Sequence, residues 1–502
     1  MAKKLLLIDP VLETSLCFDS VRLLSVLSVP RISLSYIAAL TPSDWDIKII
    51  SGHIETVTLE DADLVGITAV TSPAPRAYEI SEQYRRKGIK TVMGGIHASM
   101  LPDEAIQFVD SVVIGEAESV WQNLIHDFEN NELKRFYQGE RTSLENLVKP
   151  RRDLYNSYKY KVIDYVQTAR GCPMDCEFCS VPTLHGRTYR QRPVEEVLDE
   201  LEALNAKNVL FLDDNIFGYG EKAEERAIQL FRRMKERGLN KRWFSNVGID
   251  FADNPEVLKY AREAGCFMIL IGFEALNEET LQGMHKVRNL KVGVRNYKEV
   301  IKKIRDHGIT VVGTFVFGND EDSKDVFQRT TEFILDSKID IAECTISTPF
   351  PGTRLYNRLK QEGRLLLTNY PDDWRHYNLF EPVFMPKHMT PYELMEGVNQ
   401  IYKHTTSRVT SLKRAFNSAI QTRNLYAGVI ACLGNRAIGS VWLQNYEYMK
   451  NSLTSVISDS CLYYSVTDGE SCEELRTPSA KVEQVIEPVS LEPVRGDRDS
   501  LE

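Results

Sequence analysis

The spacing of apolar and polar residues predicts a regular alternation of strands and helices over residues 1–150. Short apolar runs predict strands, and apolar residues repeated every three or four positions predict helices. The predicted strands are Lys4–Ile8, Asp46–Ile50, Leu64–Thr68, Thr91–Met93 and Ser111–Ile114, and the predicted helices are Ile32–Leu40 and Ala74–Lys87. This α/β alternation is typical of a doubly wound (Rossmann-like) parallel sheet, whose ligands bind at the carboxyl ends of the strands.

The alternation continues over residues 151–360, where six further strands are expected. They are Val162–Thr168, Val209–Leu212, Trp243–Val247, Phe267–Ile271, Thr310–Phe317 and Ile341–Ser347. The helices between them are Val194–Leu204, Ala223–Arg237, Pro255–Ala264, Tyr297–His307 and Ser323–Asp336. Six strand–helix units predict a partial barrel, whose active face is formed by the carboxyl ends of its strands.

Residues 361–450 have a helical pattern, with predicted helices at Leu394–Thr405 and Ser411–Thr422. The aromatic and polar segment Trp374–Phe380 has two interpretations, as a wall of a substrate pocket or as an ordinary packing segment. The segment Leu425–Trp442 is largely apolar, but its polar residues Asn435-Arg436 argue against a membrane span. It suggests either a peripheral membrane contact or the lining of an apolar pocket. Residues 451–502 are expected to be largely disordered, because beyond Arg476 they lack aromatic residues.

Composition narrows the class of protein. The 502 residues are 43% hydrophobic and 26% charged, which is typical of a globular protein of several domains. A net charge of -10 without a long basic run argues against a nucleic-acid partner. The first apolar run ends at Asp9-Pro10, too early for a signal peptide, and no stretch has the length of a membrane span. Six cysteines are scattered without a pattern, which favours a reducing compartment, the cytoplasm.

The remaining three cysteines form one tight cluster, Cys172, Cys176 and Cys179, with the spacing Cys-x3-Cys-x2-Cys. Three thiolates without an adjacent fourth ligand suit a 4Fe-4S cluster that leaves one iron open to another molecule. The alternatives are unrelated buried cysteines, or a zinc site that His185 completes. The cysteine loop follows the first predicted barrel strand, so we expect it on the active face.

The sequence around this cluster resembles the radical S-adenosylmethionine (SAM) superfamily. Thr168-Ala-Arg-Gly-Cys-Pro precedes it, and Phe178 stands directly before its last cysteine. The resemblance implies that SAM chelates the open iron, and that an external electron donor such as a flavodoxin or ferredoxin reduces the cluster. It also implies that SAM is cleaved to a 5′-deoxyadenosyl radical, which removes hydrogen from unactivated carbons.

The other strand ends of the barrel supply candidate SAM contacts. The resemblance implies that the acidic loop after the second strand contacts the methionine amino group, although Asp and Asn are also common in solvated turns. It further implies a polar contact after the fourth strand and an adenine site near the fifth. The candidates are Phe178, Asp213, Asp214, Asn215, Glu274 and Gly318.

The first domain resembles the cobalamin-binding domain of class B radical SAM enzymes, most closely at Gly94–Glu104 and Val113–Glu118. Two loops at strand ends are the candidate contacts, through Thr68, Thr71, Gly94 and Gly95. The motif Asp-x-His-x-x-Gly, whose histidine binds cobalt in many cobalamin folds, is missing. The resemblance therefore implies bound cobalamin with no histidine on cobalt, or else a domain that has lost the cofactor. We interpret His97 as a core or loop residue.

Together these patterns predict a cobalamin-dependent radical SAM methyltransferase that methylates an unactivated carbon of a large apolar small molecule. Similar proteins include hopanoid methylases, bacteriochlorophyllide side-chain methylases and the oxidative cyclase of bacteriochlorophyll synthesis. One alternative is a cyclase or carbon–carbon coupling enzyme of the same layout. Another is a non-catalytic corrinoid-binding protein, against which the intact cysteine set argues.

Overall fold

The computed structural model describes residues 2–11, 31–52, 57–155 and 163–464. The first domain contains a parallel six-stranded sheet, and its strand order β2-β1-β3-β4-β5-β6 confirms the predicted doubly wound topology. Its strands are β1 (Lys4–Asp9), β2 (Asp46–Ser51), β3 (Leu64–Thr68), β4 (Lys90–Gly94), β5 (Ser111–Ile114) and β6 (Phe136–Gln138). The sequence pattern did not predict β6, which has only three residues.

Helices cover both faces of this sheet. They are α1 (Ile32–Leu40), α2 (Ala74–Arg86), α3 (Ile96–Met100), α4 (Pro102–Phe108) and α5 (Trp121–Glu129), with short 3-10 turns at Ala117–Ser119 and Arg152–Leu154. Successive strand residues point to opposite faces, so the sheet has two apolar layers, one around Tyr78 and Met93 and the other around Val92 and Trp121.

The second domain is the predicted partial barrel, with six parallel strands in the order β14-β13-β12-β11-β10-β7. A two-stranded antiparallel ribbon, β8 and β9, follows its first strand. The strands are β7 (Ile163–Val166), β8 (Ala169–Arg170), β9 (Arg190–Gln191), β10 (Asn208–Phe211), β11 (Arg242–Val247), β12 (Cys266–Glu274), β13 (Thr310–Phe317) and β14 (Ile341–Ile346).

The barrel helices pack outside the strands around fully buried aromatic residues such as Trp243 and Phe273. They are α6 (Val181–His185), α7 (Val194–Ala203), α8 (Glu221–Glu236), α9 (Pro255–Glu263), α10 (Glu278–Gly283), α11 (Val287–Val292), α12 (Tyr297–Asp306), α13 (Val326–Asp336) and α14 (Arg354–Gln361). Further 3-10 turns lie at Ile249–Ala252, Val294–Asn296 and Asp372–His376.

Three helices complete the described chain: α15 (Pro391–Thr405), α16 (Arg408–Gln421) and α17 (Leu425–Tyr464). Helix α17 extends to Tyr464, so the helical region continues beyond residue 450, where the predicted tail was to begin. Residues 465–502 of that tail lie outside the described residues. Within the described ranges, no helix combines the length and apolarity that crossing a bilayer requires.

The aromatic segment before α15 packs against the first domain. The Trp374 ring is 1% exposed, its Nε1 donates to both carboxylate oxygens of Glu104 at 3.0 Å, and its face stacks on Tyr370 at 3.7 Å. Glu104 also accepts hydrogen bonds from the first domain, where Tyr78 donates to it at 2.9 Å. Of the two interpretations of Trp374–Phe380, these contacts favour the packing segment.

Candidate functional site

The cysteine loop lies over the carboxyl ends of the barrel strands, as predicted. Cys172, Cys176 and Cys179 are free, half-buried, and line one cavity of about 450 Å³. The loop enters this position through Gly171, whose φ of +92° suits glycine, and where a Cβ would lie 2.3 Å from the Thr188 carbonyl oxygen. A larger residue at this position would therefore push the loop off the barrel mouth.

The chemistry of these donors fits an iron–sulfur cluster. Burial raises the pKa of Cys179 to about 12, and burial is also the main cause of the raised pKa of Cys176. Thiols in such a site ionise readily only when a cation neutralises the thiolates, as cluster iron does. In the zinc alternative, His185 would be the fourth ligand, but its Nδ1 lies 2.9 Å from Glu116 Oε1 of the first domain.

An ion pair lies beside the cysteines. Glu274 Oε1 accepts from Lys286 Nζ at 2.5 Å, and this ammonium lies 5.7 Å from the centre of the Phe178 ring. Burial lowers the pKa of Lys286, but Glu274, Cys176 and Cys179 together more than compensate, so the net shift is upward. Glu274 has φ +64° at a register shift in β12, an unusual backbone for a residue other than glycine. The candidate Glu274 thus lines the cavity with one oxygen held by Lys286.

Two of the predicted SAM contacts in the loop after β10, Asp213 and Asn215, have side chains that are hydrogen-bonded to the protein's own backbone. Asp213 is fully buried and absent from the cavity lining: its carboxylate accepts from Thr168 N at 2.7 Å and from Ala169 N at 2.9 Å, which fixes the start of the cysteine loop. Asn215 reaches the cavity wall, but its side chain is engaged in a turn with Gly218. Asp213 therefore has a positioning role, because Oδ1 accepts from the backbone of Thr168 and Ala169 and Oδ2 accepts from the Thr168 hydroxyl.

Asp214 is the member of this loop that fits the predicted role. It lines the cysteine cavity, and its Oδ2 accepts from Gly171 N at 3.2 Å. Burial raises the pKa of this carboxyl, so a nearby ammonium would stabilise its ionised form.

Gly318 lies in a neighbouring cavity of about 320 Å³, which shares Phe178 and His285 with the cysteine cavity. Its φ is +92°, its N–H donates to Asp322 Oδ2 at 3.0 Å, and a Cβ would lie 2.7 Å from Leu394 Cδ2. Phe178 therefore separates the cysteines from the candidate adenine region, and the placement of Gly318 there stays a prediction.

Three residues of the cysteine cavity were missed by the sequence analysis: Lys286, Arg288 and Tyr219. Tyr219 Oη donates to Cys172 Sγ at 2.9 Å, and the Arg288 guanidinium lies 4.4 Å from the Tyr219 ring centre. Asp250 holds Arg288 through a 2.5 Å ion pair. No local motif marks these side chains, because each acts on a residue from another strand end.

A second cavity, of about 300 Å³, lies at the carboxyl ends of the first-domain strands. Thr68, Gly94 and Gly95 line it as predicted. Thr71 does not: it is buried in the turn before α2, where its carbonyl accepts from Ala74 N at 3.1 Å. The correction follows from chain direction, since the loop turns into α2 after Val70.

The barrel closes this second cavity from the other side through Gln167, Arg170, Leu184 and His185. Glu116 joins the two domains, with Oε2 accepting from Arg170 at 3.1 Å and from Arg190 at 3.0 Å. Burial would raise the pKa of Glu116, but hydrogen bonds from His185 and Arg190 and the charges of Arg170 and Arg190 lower it to about 2. The carboxylate is thus ionised and fixes the interdomain geometry.

This interdomain cavity fits a corrinoid. It is bounded by a glycine pair on one side and by the barrel on the other, as a broad planar ligand requires. Tyr36 lines the cavity, and its buried hydroxyl has no hydrogen-bond partner among the described residues. A ligand with peripheral amides would satisfy that hydroxyl.

His97 is buried in the core, as expected. Its Nε2 lies 3.0 Å from Tyr78 Oη and 3.2 Å from Glu104 Oε1, and its ring packs edge-on against Trp374. It does not line the second cavity. His53, another histidine of the first domain, lies outside the described residues.

Comparison with known proteins agrees with this two-site arrangement. The model of the Radical SAM superfamily matches residues 166–334, and that of the B12 binding domain matches residues 24–125. The bacteriochlorophyllide d C-12(1)-methyltransferase of Chlorobaculum tepidum is 31% identical over 426 residues, covering 82% of this chain and 89% of the relative. The hopanoid C-2 methylase of Rhodopseudomonas palustris is 28% identical and covers 70% of this chain and 67% of the relative.

A solved structure shares the fold. The radical SAM methyltransferase TsrM from Kitasatospora setae, with cobalamin and a 4Fe-4S cluster bound, superposes with a TM-score of 0.61 and 14% identity. The match covers 86% of this chain and 99% of the TsrM chain. The likeness confirms the α/β fold, and the two family models identify its first domain as a B12 binding domain and its second as a radical SAM domain.

Proposed function

We propose that this chain, which belongs to the family of radical SAM enzymes with a B12-binding domain, methylates an unactivated carbon of a large apolar small molecule. The observation that carries the proposal is the 31% identity to a bacteriochlorophyllide methyltransferase, because that match spans 82% of this chain and 89% of the relative. The cofactors of such an enzyme are a 4Fe-4S cluster, SAM and cobalamin.

In this proposal, the two cavities bind different cofactors. When bound, the three cofactors supply one-electron reduction of SAM and a transferable methyl group. We assign cluster ligation to Cys172, Cys176 and Cys179, SAM contacts to Asp214 and Phe178, and cobalamin contacts to Thr68, Gly94 and Gly95. The domain limits that accompany these roles are residues 1–150, 151–360 and 361–450.

The substrate that we propose is a bacteriochlorophyllide-type tetrapyrrole or a hopanoid, the classes named in the two relatives. We further propose an external electron donor, such as a flavodoxin or ferredoxin, since the chain carries no second cysteine cluster in its sequence. The free thiols among the described cysteines support a reducing compartment, the cytoplasm.

The first test measures cleavage of SAM to 5′-deoxyadenosine by the anaerobically reconstituted full chain. Cys176→Ala should abolish cleavage and lower the iron content while the chain stays folded, because the cysteine loop lies outside the barrel core. Cys432→Ala is the matched control, since this half-buried thiol lies on α17 and away from the cavity. Undiminished cleavage by Cys176→Ala would refute the cluster assignment.

The second test identifies the reaction. Incubation with bacteriochlorophyllide d and methyl-labelled SAM should give a product that gains one labelled methyl group. A product that instead loses hydrogen and forms a ring would assign the chain to the cyclase alternative. No turnover of SAM by a protein with full iron and cobalamin content would favour the non-catalytic alternative.

A further inference from the structure

Helix α16 has an inverted distribution of polar and apolar side chains. Its buried residues are polar: Ser411, Arg414 and Ser418. Its large apolar residues are exposed, and they are Val409, Leu412, Phe416 and Ile420, with Leu412 63% and Phe416 67% exposed. A helix that packs on a globular core normally presents the opposite pattern.

Specific hydrogen bonds hold the polar face inward. The Arg414 guanidinium donates to the Ile339 carbonyl at 3.0 Å and to the Thr405 carbonyl at 3.2 Å, and Ser411 Oγ donates to the Thr406 carbonyl at 3.1 Å. A rotation of α16 that buried the apolar residues would break these bonds and leave the Ile339 and Thr405 carbonyls without these donors. The exposure of the apolar face is therefore built into the fold.

Helix α17 extends the same surface. The two helices cross closely at Gly428, where a Cβ would lie 2.7 Å from the Ala415 carbonyl oxygen. Both bury their inner faces at the start of β14, because Asn435 of α17 donates to the Asp340 carbonyl at 2.7 Å, next to the Ile339 carbonyl that Arg414 contacts. Their outer faces hence lie side by side. We name this surface the hairpin face, formed by Val409, Leu412, Phe416, Ile420, Leu425, Val429 and Leu433.

The charged residues of the sequence that forms the hairpin face are all basic. Residues 397–446 contain six Lys and Arg residues and no Asp or Glu, in a protein with 71 acidic and 61 basic residues. Arg408, Lys413 and Arg423 are exposed beside the apolar residues. One acidic contact comes from α12, where Asp306 accepts from Gln421 at 3.0 Å and is paired with Lys302.

We propose that the hairpin face docks the enzyme on the surface of an anionic lipid bilayer. Exposed Leu, Ile and Phe side chains enter the boundary between headgroups and acyl chains, and the flanking cations pair with lipid phosphates. A second copy of this chain would bring two basic surfaces together, which charge repulsion opposes. The proposal does not depend on the methyl-transfer reaction.

The position of the hairpin face is compatible with catalysis. Tyr426 of α17 packs against Phe267 at the start of β12, with ring centroids 5.8 Å apart, and α16 and α17 both bond to residues directly before β14. The hairpin thus covers the amino ends of the strands, opposite the carboxyl ends where both cavities lie. A docked enzyme would keep its cofactor cavities and an electron-donor surface away from the headgroups.

The test is co-sedimentation of the full-length protein with phosphatidylcholine vesicles, with and without phosphatidylglycerol. The native protein should bind the anionic vesicles, and salt should weaken that binding. Leu412→Glu/Phe416→Glu and, separately, Arg408→Glu/Lys413→Glu should each weaken it on the order of tenfold. Leu335→Glu is the matched control, because Leu335 is a 41% exposed leucine on the barrel helix α13. SAM cleavage without vesicles should be the same in all of these proteins.

Four outcomes would overturn the proposal. The first is that native protein does not bind anionic vesicles, and the second is that both double variants bind as tightly as the native protein. The third is a native dimer in vesicle-free solution that Leu412→Glu/Phe416→Glu converts to a monomer, which would make a second copy the occupant. The fourth is carbodiimide cross-linking of Lys413 to the acidic residues of 465–502 in the native protein, which would make that segment the occupant.

Discussion

Replacement of Glu116 by Gln tests the ion network that joins the two domains. The Glu116 side chain is 3% exposed and contacts Arg170, Arg190 and His185. The variant keeps the shape of the side chain and removes its charge, so Arg190 loses its carboxylate partner and Arg170 keeps only its ion pair with Glu118 at 2.6 Å. Breaking a buried ion pair from one side destabilises a protein by about 3–5 kcal/mol.

The lowered pKa of Glu116 gives a second, independent value for this destabilisation. The pKa is lowered from 4.5 to about 2, which corresponds to about 3 kcal/mol of stability at pH 7. Because the folded pKa is the lower one, this stability is present above pH 4.5 and is lost as the pH falls toward 2. At pH 4 the difference between the native protein and Glu116→Gln should therefore be smaller than at pH 7 by about 1 kcal/mol.

Urea unfolding of the full chain, followed by tryptophan fluorescence, measures both values. Glu195→Gln is the control, since Glu195 pairs with Arg233 and Arg237 on the surface and should change the unfolding free energy little. A Glu116→Gln difference that is below about 1 kcal/mol at pH 7, or that does not fall between pH 7 and pH 4, would refute the argument.

Three further predictions concern the cofactors. Gly94→Leu should weaken cobalamin uptake about tenfold in an absorbance titration. The fold should stay unchanged, because a Cβ at Gly94 meets only one neighbouring residue, Val113, 3.8 Å away, whereas Gly95→Ala should also destabilise the folded protein. Tyr219→Phe should lower the cluster midpoint potential by about 50 mV in an electron paramagnetic resonance titration, because Cys172 loses a hydrogen bond. The electron paramagnetic resonance spectrum of cob(II)alamin should show no splitting from a nitrogen bound to cobalt. A nitrogen splitting that His185→Ala removes would contradict this prediction.

The sequence predicted the elements of the fold well because most strands are short apolar runs bounded by glycine or polar residues. The prediction for β13, Thr310–Phe317, matches the structure residue for residue. Strand β6 was missed because a three-residue edge strand carries no periodicity that distinguishes it from a loop. The helix beyond residue 450 was missed because composition alone was used to place the end of the helical region.

The site was predictable where function depends on residues close together in the chain. The cysteine spacing is such a case, since one loop holds all three thiols. The SAM contact of Asp213 stays a prediction, because an acidic side chain after a strand has the same sequence signature whether it faces a ligand or fixes the backbone, as Asp213 fixes Thr168. Lys286 and Tyr219 had no signature, because their partners Glu274 and Cys172 lie at other strand ends.

One short segment of chain contributes to both cavities. The cysteine loop leads directly into α6, and His185 at the end of that helix contacts Glu116 and lines the interdomain cavity. A displacement of Cys179 would therefore reach the wall of the interdomain cavity within a few residues. Glu116 lies at the end of this short path, and its contact with His185 ties the cysteine loop to the domain junction.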